Sequence, residues 1–243
     1  MRRIIKILAT FSTCVFLTNA FADPIDDFES GLASGTNSDG IPLGFLTFSD
    51  GSSSVGISVT DAHPSLPGEA VGNNVLAVST NVVAGGFAGF VHNFENPATD
   101  TWTPMDWTAF DAFSFDLYGN NTGSVFFIDI LDNRNPGSTT DDAERFTYFF
   151  DDDFTGWASF TVSFADLSRK EIGNGAPDDG LGLTDVHGWA FGVINSQQSF
   201  TNYIDNFEVR GSAVSVPEPG TLVLLGIGLF GMGLARRRKK SET

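Results

Sequence analysis

Cysteine is almost missing from this chain, and basic residues are scarce wherever the protein is not a terminal signal. The single cysteine, Cys14, lies within the first 22 residues. Residues 23–215 hold five cations, Arg134, Arg145, Arg169, Lys170 and Arg210, against 28 acidic residues, a formal charge of −23. No disulfide is therefore available to residues 23–215, whose stability has to come from a packed core or from ions. The acidic field repels nucleic acid and anionic lipid, so neither is expected as a partner of this domain. Helical periodicity is nearly absent between residues 23 and 211. No nucleophile elbow, HExxH, CxxC or phosphate-cradling glycine loop occurs. His63, His92 and His187 are scattered without metal-ligand spacing. A glycosidase needs two carboxylates held across a cleft, and no pair stands out from the acidic background.

What is present begins at the two ends. Arg2, Arg3 and Lys6 precede an apolar core from Ile7 to Leu17, and Ala20-Phe21-Ala22 provides a small-x-small cleavage pattern. This reads as a signal peptide over residues 1–22, cut after Ala22. At the other end Pro217-Glu218-Pro219 is followed by an uncharged run from Thr221 to Ala235 and then by Arg236-Arg237-Arg238-Lys239-Lys240. As a helix the run spans roughly 22 Å, short of the ~30 Å hydrocarbon core, and snorkelling basic side chains close the gap. The cations favour the cytoplasmic side and leave the domain outside. In this order the three parts resemble the PEP-CTERM sorting signal (residues 217–243). The resemblance implies an exosortase as partner, transient anchoring in the inner membrane of a Gram-negative bacterium, and delivery to the surface or the extracellular matrix. Permanent anchoring is the other reading of the tail. Residues 211–216 form a small polar linker.

Between the signals, short aromatic and β-branched runs recur, broken by Gly, Asn, Asp and Pro. Strands are expected at Pro24–Glu29, Leu43–Phe48, Val55–Thr60, Asn74–Thr80, Gly86–Phe94, Ala112–Tyr118, Ser124–Leu131, Arg145–Phe150, Ala158–Phe164, Val186–Val193 and Asn202–Val209. Phe113, Phe115 and Leu117 alternate with Ser114 and Asp116, the period of a half-buried antiparallel strand. The fold expected for residues 23–210 is an all-β sandwich, a jelly roll, with one C-terminal hydrophobic helix beyond it. The 24 phenylalanines are read as core. Asp151-Asp152-Asp153 is read as a solvated turn.

The ordered landmarks carry a second resemblance. They are Ile25-Asp26-Asp27-Phe28-Glu29, Asp106-Trp107, Phe127-Ile128-Asp129-Ile130, Arg145-Phe146-Thr147-Tyr148, Gly156-Trp157 and Tyr203-Ile204-Asp205-Asn206-Phe207-Glu208-Val209. Together they resemble the family 11 carbohydrate-binding modules, with the complex I intermediate-associated protein 30 domain as a cousin, among the galactose-binding-like jelly rolls. The resemblance implies a non-catalytic module that binds polysaccharide on one sheet face lined by Tyr, Asp and Arg. The matching positions are Asp129, Arg145 and Tyr148. Arg145 and Tyr148 are three apart, so sharing a face requires a bulge. Trp102 is the loop aromatic best placed to add a stacking plate, while Trp157 and Trp189 stand where the family keeps core aromatics. The resemblance further implies a structural calcium joining the first and last strands through Asp27, Glu29 and Asp205. Two other readings stay open, a structural biofilm or matrix protein that binds no sugar, and a jelly-roll hydrolase or lyase.

Overall fold

The computed structural model describes residues 21–36, 42–96, 101–132 and 142–211. Both the Pro217–Glu218–Pro219 motif and the apolar run after it lie outside the described residues. So does the expected signal peptide up to residue 20. Among the described residues no helix is long and apolar enough to cross a membrane. Residues Ala20–Ser212 form one compact unit.

The described strands, in chain order, are β1 (Phe21–Asp26), β2 (Ser34–Thr36), β3 (Pro42–Ser49), β4 (Ser54–Thr60) and β5 (Val75–Asn81). They continue with β6 (Phe87–Asn93), β7 (Glu95–Asn96), β8 (Thr101–Trp102), β9 (Ala112–Asn120) and β10 (Val125–Asp132). The last are β11 (Glu144–Asp151), β12 (Thr155–Ser163), β13 (Ser168–Arg169), β14 (Val186–Ile194) and β15 (Ser199–Gly211). Each of the eleven runs expected from alternation overlaps one of these, and β2, β7, β8 and β13 are additions of two or three residues. Those four are too short to show a period, so only pairing defines them.

Two antiparallel sheets face each other as a jelly-roll sandwich. The back sheet has the order β12-β9-β15-β5-β4, with β1 also paired to β15. The front sheet has the order β13-β11-β10-β14-β6-β3-β2. Strand β15 takes β5 along Ser199–Ile204 and β1 along Phe207–Gly211, so the first and last strands are neighbours. Phe21 and Ala22, the two residues before the expected cleavage point, belong to this pairing, opposite Gly211 and Arg210.

The core lies between the sheets and is dominated by aromatics. Trp189 and Phe207 stack at 4.0 Å between centroids, and Phe90, Phe113, Phe115, Phe126 and Phe191 are all buried beside them. Trp107 is 2 % exposed and stacks on Phe164. Trp189 is core as the resemblance implied. Trp157 is not: it stands on the outer face of the back sheet, half-buried against Tyr118. On β12 the core is reached by Phe160 and Val162, so period two sends Trp157 outward with Ser159 and Thr161.

One polar tie crosses the sandwich. Asp26, at the end of β1 in the back sheet, accepts hydrogen bonds from His92 Nδ1 (2.8 Å) and Trp189 Nε1 (2.6 Å) of the front sheet. Burying that carboxylate is tolerable because its Oδ2 oxygen receives two donors. The strand ends there. Asp27, Phe28 and Glu29 form a turn in which Phe28, at φ +58°, points into the core, while Asp27 and Glu29 are exposed. The strand expected over Pro24–Glu29 thus ends at Asp26, and Asp27 and Glu29 do not belong to it.

Asp152 also departs from expectation. It is fully buried rather than solvated. Its carboxylate accepts from the backbone N–H groups of Asn120, Asn121 and Thr122 at 3.0–3.2 Å and from Thr122 Oγ1 at 2.7 Å. The β9–β10 turn is wound around this anion, with Asn121 and Gly123 both at positive φ so that successive N–H groups converge.

Candidate functional site

The outer face of the front sheet carries a row fixed by strand register. Phe48 of β3 lies opposite Gly89 of β6, Gly89 opposite Gly192 of β14, Gly192 opposite Phe127 of β10, and Phe127 opposite Phe149 of β11. The two glycines in the middle make room for the rings on either side. A Cβ on Gly192 would lie 2.3 Å from Phe127 Cζ, and one on Gly89 would lie 2.8 Å from Phe48 Cζ. Phe48 and Phe127 accordingly stack over the glycine floor, 6.3 Å apart at 26°. Phe149 and Phe87 flank them, 52 % and 41 % exposed, the largest exposures among the described phenylalanines apart from Phe21 at the domain's first strand. An exposed phenyl ring has no polar group to satisfy it with water, so two of them beside a stacked pair mark a surface built for an apolar contact.

The next row supplies polar groups. Asp129 is opposite Thr147 on one side and Ala190 on the other. It is 1 % exposed, and both oxygens are engaged: Thr147 Oγ1 donates at 2.5 Å and Lys170 Nζ at 3.0 Å. The ammonium of Lys170 also sits 4.0 Å from the centroid of Phe127. Asp129 therefore holds Lys170 over the aromatic row instead of facing solvent itself. Arg145 is opposite Leu131 on the same face as Asp129, one row further along.

Tyr148 does not join them. The β10–β11 register runs without a bulge, placing Tyr148 opposite Ile128 on the side facing the other sheet, where it stacks with Phe150. Arg145 and Tyr148 therefore point to opposite sides. Trp102 lies in the β7–β8 ribbon, paired with Glu95 and outside both sheets. Of the four expected sugar residues, the fold places Asp129 and Arg145 on one face and leaves Tyr148 and Trp102 elsewhere. The plates that reasoning from sequence passed over are phenylalanines. Their signal was available in β10: Phe126 and Phe127 are adjacent, so one of them had to leave the core.

One residue beyond the Leu131–Arg145 pair the two strands carry a buried acidic pair. Asp132 and Glu144 are opposite each other across the β10–β11 neck and are both buried. Glu144 accepts from Arg169 Nε at 2.5 Å, and Asp132 accepts from the Gly182 N–H. Burial, reinforced by the charges of Glu144 and Asp179, pushes the Asp132 carboxyl up to about 7.

The expected calcium residues lie where β1 and β15 meet the turn before β5. Glu29 accepts from the Asn74 backbone N–H (2.9 Å) and Nδ2 (3.1 Å), which hold it below its ordinary range. Asp205 accepts from Asn73 Nδ2 (2.9 Å) and the Asn206 N–H (2.8 Å). Burial raises Asp205, with the charges of Asp116 and Glu29 adding to it against those two bonds. Asp27 Oδ1 accepts from the Glu29 N–H instead of turning toward Asp205. Among the described residues no group of three or more His, Cys, Asp or Glu side chains is arranged to hold a metal ion. In this arrangement amide groups reach both carboxylate oxygens of Glu29 and of Asp205 and one of Asp27.

A two-sheet jelly roll with an aromatic and polar outer face is the architecture of small sugar-binding domains. The family model for the carbohydrate binding domain (family 11) matches residues 13–212, and the chain belongs to that family. A second model, the PEP-CTERM protein-sorting motif, matches residues 215–239. Together they define an exported, carbohydrate-binding-like surface protein. Among solved structures, the family 11 module from Clostridium thermocellum in complex with a β-1,3-1,4-mixed-linked tetrasaccharide superposes with a TM-score of 0.54 at 18% identity. That match covers 75% of this chain and 96% of the module. The family 11 module of the cellulase Lic26A-Cel5E from the same organism gives 0.53 at 18% identity, covering 75% and 95%. A family 30 carbohydrate-binding module gives 0.50 at 16% identity, covering 82% and 92%. These likenesses establish the fold. No curated protein matches the chain.

Proposed function

We propose that this protein is a non-catalytic module that holds a neutral polysaccharide on the outer face of its front sheet. The observation that carries the reading is the Phe48–Gly89–Gly192–Phe127–Phe149 row, with Lys170 and Arg145 beside it. Sugar rings present apolar C–H faces to aromatic plates and hydroxyls to neighbouring polar groups. The mixed-linked glucan bound by the family 11 module of C. thermocellum is a reasonable first ligand, and the net charge of −17 disfavours polyanionic chains. Export would follow cleavage after Ala22. The helix of residues 221–235 would then anchor the chain transiently in the inner membrane of a Gram-negative cell until an exosortase acts at Pro217–Glu218–Pro219. That route ends at the cell surface or in an exopolysaccharide matrix or biofilm. The domain would run to residue 210, with 211–216 as the linker.

The reading is tested by binding to a polysaccharide panel that includes mixed-linked β-glucan. Phe149→Ala is expected to weaken binding about 5- to 30-fold, the equivalent of ~1–2 kcal/mol of lost stacking. Because Phe149 is half exposed, the melting temperature should barely move. No retention on any member of the panel would shift the reading to a matrix protein that works through protein contacts. Release of reducing ends or of unsaturated uronates would make it an enzyme.

Calcium remains a separate proposal with its own test. If an ion joins Glu29 to Asp205, a chelator lowers the melting temperature and added calcium restores it. The Asn73 and Asn74 clamps do the same joining without an ion, and on that arrangement the melt is expected to be unchanged by chelator.

A further inference from the structure

The segment between β4 and β5, residues 61–74, lies against the outer face of the back sheet, opposite the sugar-binding side. Register aligns three aromatics there: Trp157 of β12 beside Tyr118 of β9, and Tyr118 beside Tyr203 of β15. Tyr118 meets Trp157 edge-on at 5.7 Å and Tyr203 edge-on at 5.9 Å. His63 sits over this row, 6.0 Å from Trp157 and 6.2 Å from Tyr203 between ring centroids, with its side chain only 3% exposed.

The imidazole is held in an unusual way. Its Nδ1 is 3.0 Å from the Pro64 carbonyl oxygen, and its Nε2 is 3.1 Å from the Asn73 carbonyl oxygen. A carbonyl only accepts. A neutral imidazole has one N–H and one lone pair, so it can satisfy only one of these contacts and must aim its lone pair at the other oxygen. The imidazolium donates to both. The Glu69 carboxylate, 3.8 Å from Nε2, supplies a countercharge from within the same segment. The Pro64 oxygen also accepts from Trp157 Nε1 at 2.5 Å, and Asn73 and Asn74 reach Asp205 and Glu29. His63 therefore ties the start of the segment to its end, above a row the segment covers.

We propose that His63 is a proton-held latch that keeps residues 61–74 closed over the Trp157–Tyr118–Tyr203 row, and that losing the proton frees the segment and uncovers the row. The charged and titratable groups facing it come from every element around it. They are Glu69 from the segment, Asp205 and Tyr203 from β15, Asp116 and Tyr118 from β9, and Glu29 beyond Asn74. Trp157 of β12 adds a neutral ring. The carboxylates among them favour the cation. Burial pulls His63 down, but the Pro64 and Asn73 carbonyls and then Glu69 and Asp205 outweigh it and leave it above its ordinary 6.5. Because the folded value is the higher one, the latch is complete below 6.5 and is lost as pH climbs through the raised value.

Histidine C2 exchange read by mass spectrometry on the full-length chain resolves the three histidines separately. His63 is expected to titrate above 6.5. Amide exchange in residues 61–74, corrected for the intrinsic pH dependence, is expected to quicken about tenfold or more between pH 6 and pH 9, the loss of a charge-assisted tie. In His63→Gln the segment should exchange quickly at both pH values. A His63 midpoint at or below 6.5 overturns the latch, and that measurement needs no variant. So does a pH response of the segment that survives in His63→Gln. Binding to the polysaccharide panel is read on the other sheet, so failure there leaves this result unaffected.

Discussion

Replacing Asp152 by alanine is expected to destabilise the domain by about 3–5 kcal/mol, seen as a lower urea midpoint with an unchanged slope. The carboxylate is fully buried and receives three backbone N–H groups and one hydroxyl from a single turn. Alanine removes the acceptor and leaves those donors in a space that also excludes a larger neighbour. A Cβ on Gly119 would lie 2.7 Å from Asp152 Oδ1, so the turn is built tightly around it. Asn121 holds positive φ with its amide on that carboxylate, and without the anion its backbone cost is no longer offset. Asp152→Asn keeps one acceptor oxygen but turns an NH2 group toward the donors, and should cost about half as much. A loss below ~1 kcal/mol for the alanine variant would mean that the turn closes on its own, contrary to this account.

Asp132→Asn should act in the opposite direction, and only above acid pH. The carboxyl moves from 3.8 to about 7 because folding buries it beside Glu144 and Asp179. A raised value in the folded state means the folded protein binds the proton more tightly. Near pH 4 and below, Asp132 therefore costs nothing extra. From pH 4 to 7 stability is lost progressively, and the full penalty stands above 7. Asparagine keeps an oxygen for the Gly182 N–H and removes the charge. The variant should match the parent near pH 4 and exceed it at pH 8 by up to ~4 kcal/mol, from three pH units at about 1.4 kcal/mol each. Paired denaturation curves at the two pH values decide it, and an equal or less stable variant at pH 8 would falsify the assignment.

Much of the molecule follows from local pattern. The alternation in Phe113-Ser114-Phe115-Asp116-Leu117 sets one face of β9, and it holds in the fold with all three apolar side chains buried. The sorting motif is also local. The Pro217–Glu218–Pro219 triplet and the basic stop are contiguous strings, and the PEP-CTERM match over residues 215–239 falls on them. The family could be named from ordered landmarks for a related reason: Asp26 of the first landmark and Phe207 of the last are paired neighbours on β1 and β15, so their order along the chain is bound to the fold.

The site was legible only in part. Asp129 and Arg145 share a face because Arg145 lies two residues from Thr147, the partner of Asp129 on the neighbouring strand, as alternation implies. Tyr148 was carried along by its motif, yet period two places it on the core side in the absence of a bulge. No string contains the phenylalanine platform. Phe48, Gly89, Gly192, Phe127 and Phe149 come from five strands, and only the pairing register sets them in one row. The same holds for Asp152, whose donors lie some 30 residues earlier, and for His63, which lies between two carbonyls nine positions apart. Sequence alone determined the class, the sorting motif and which residues could face inward, because those depend on contiguous strings and on a period of two. Tertiary structure decided which outward residues meet, because register and loop closure act between strands that are distant in the chain.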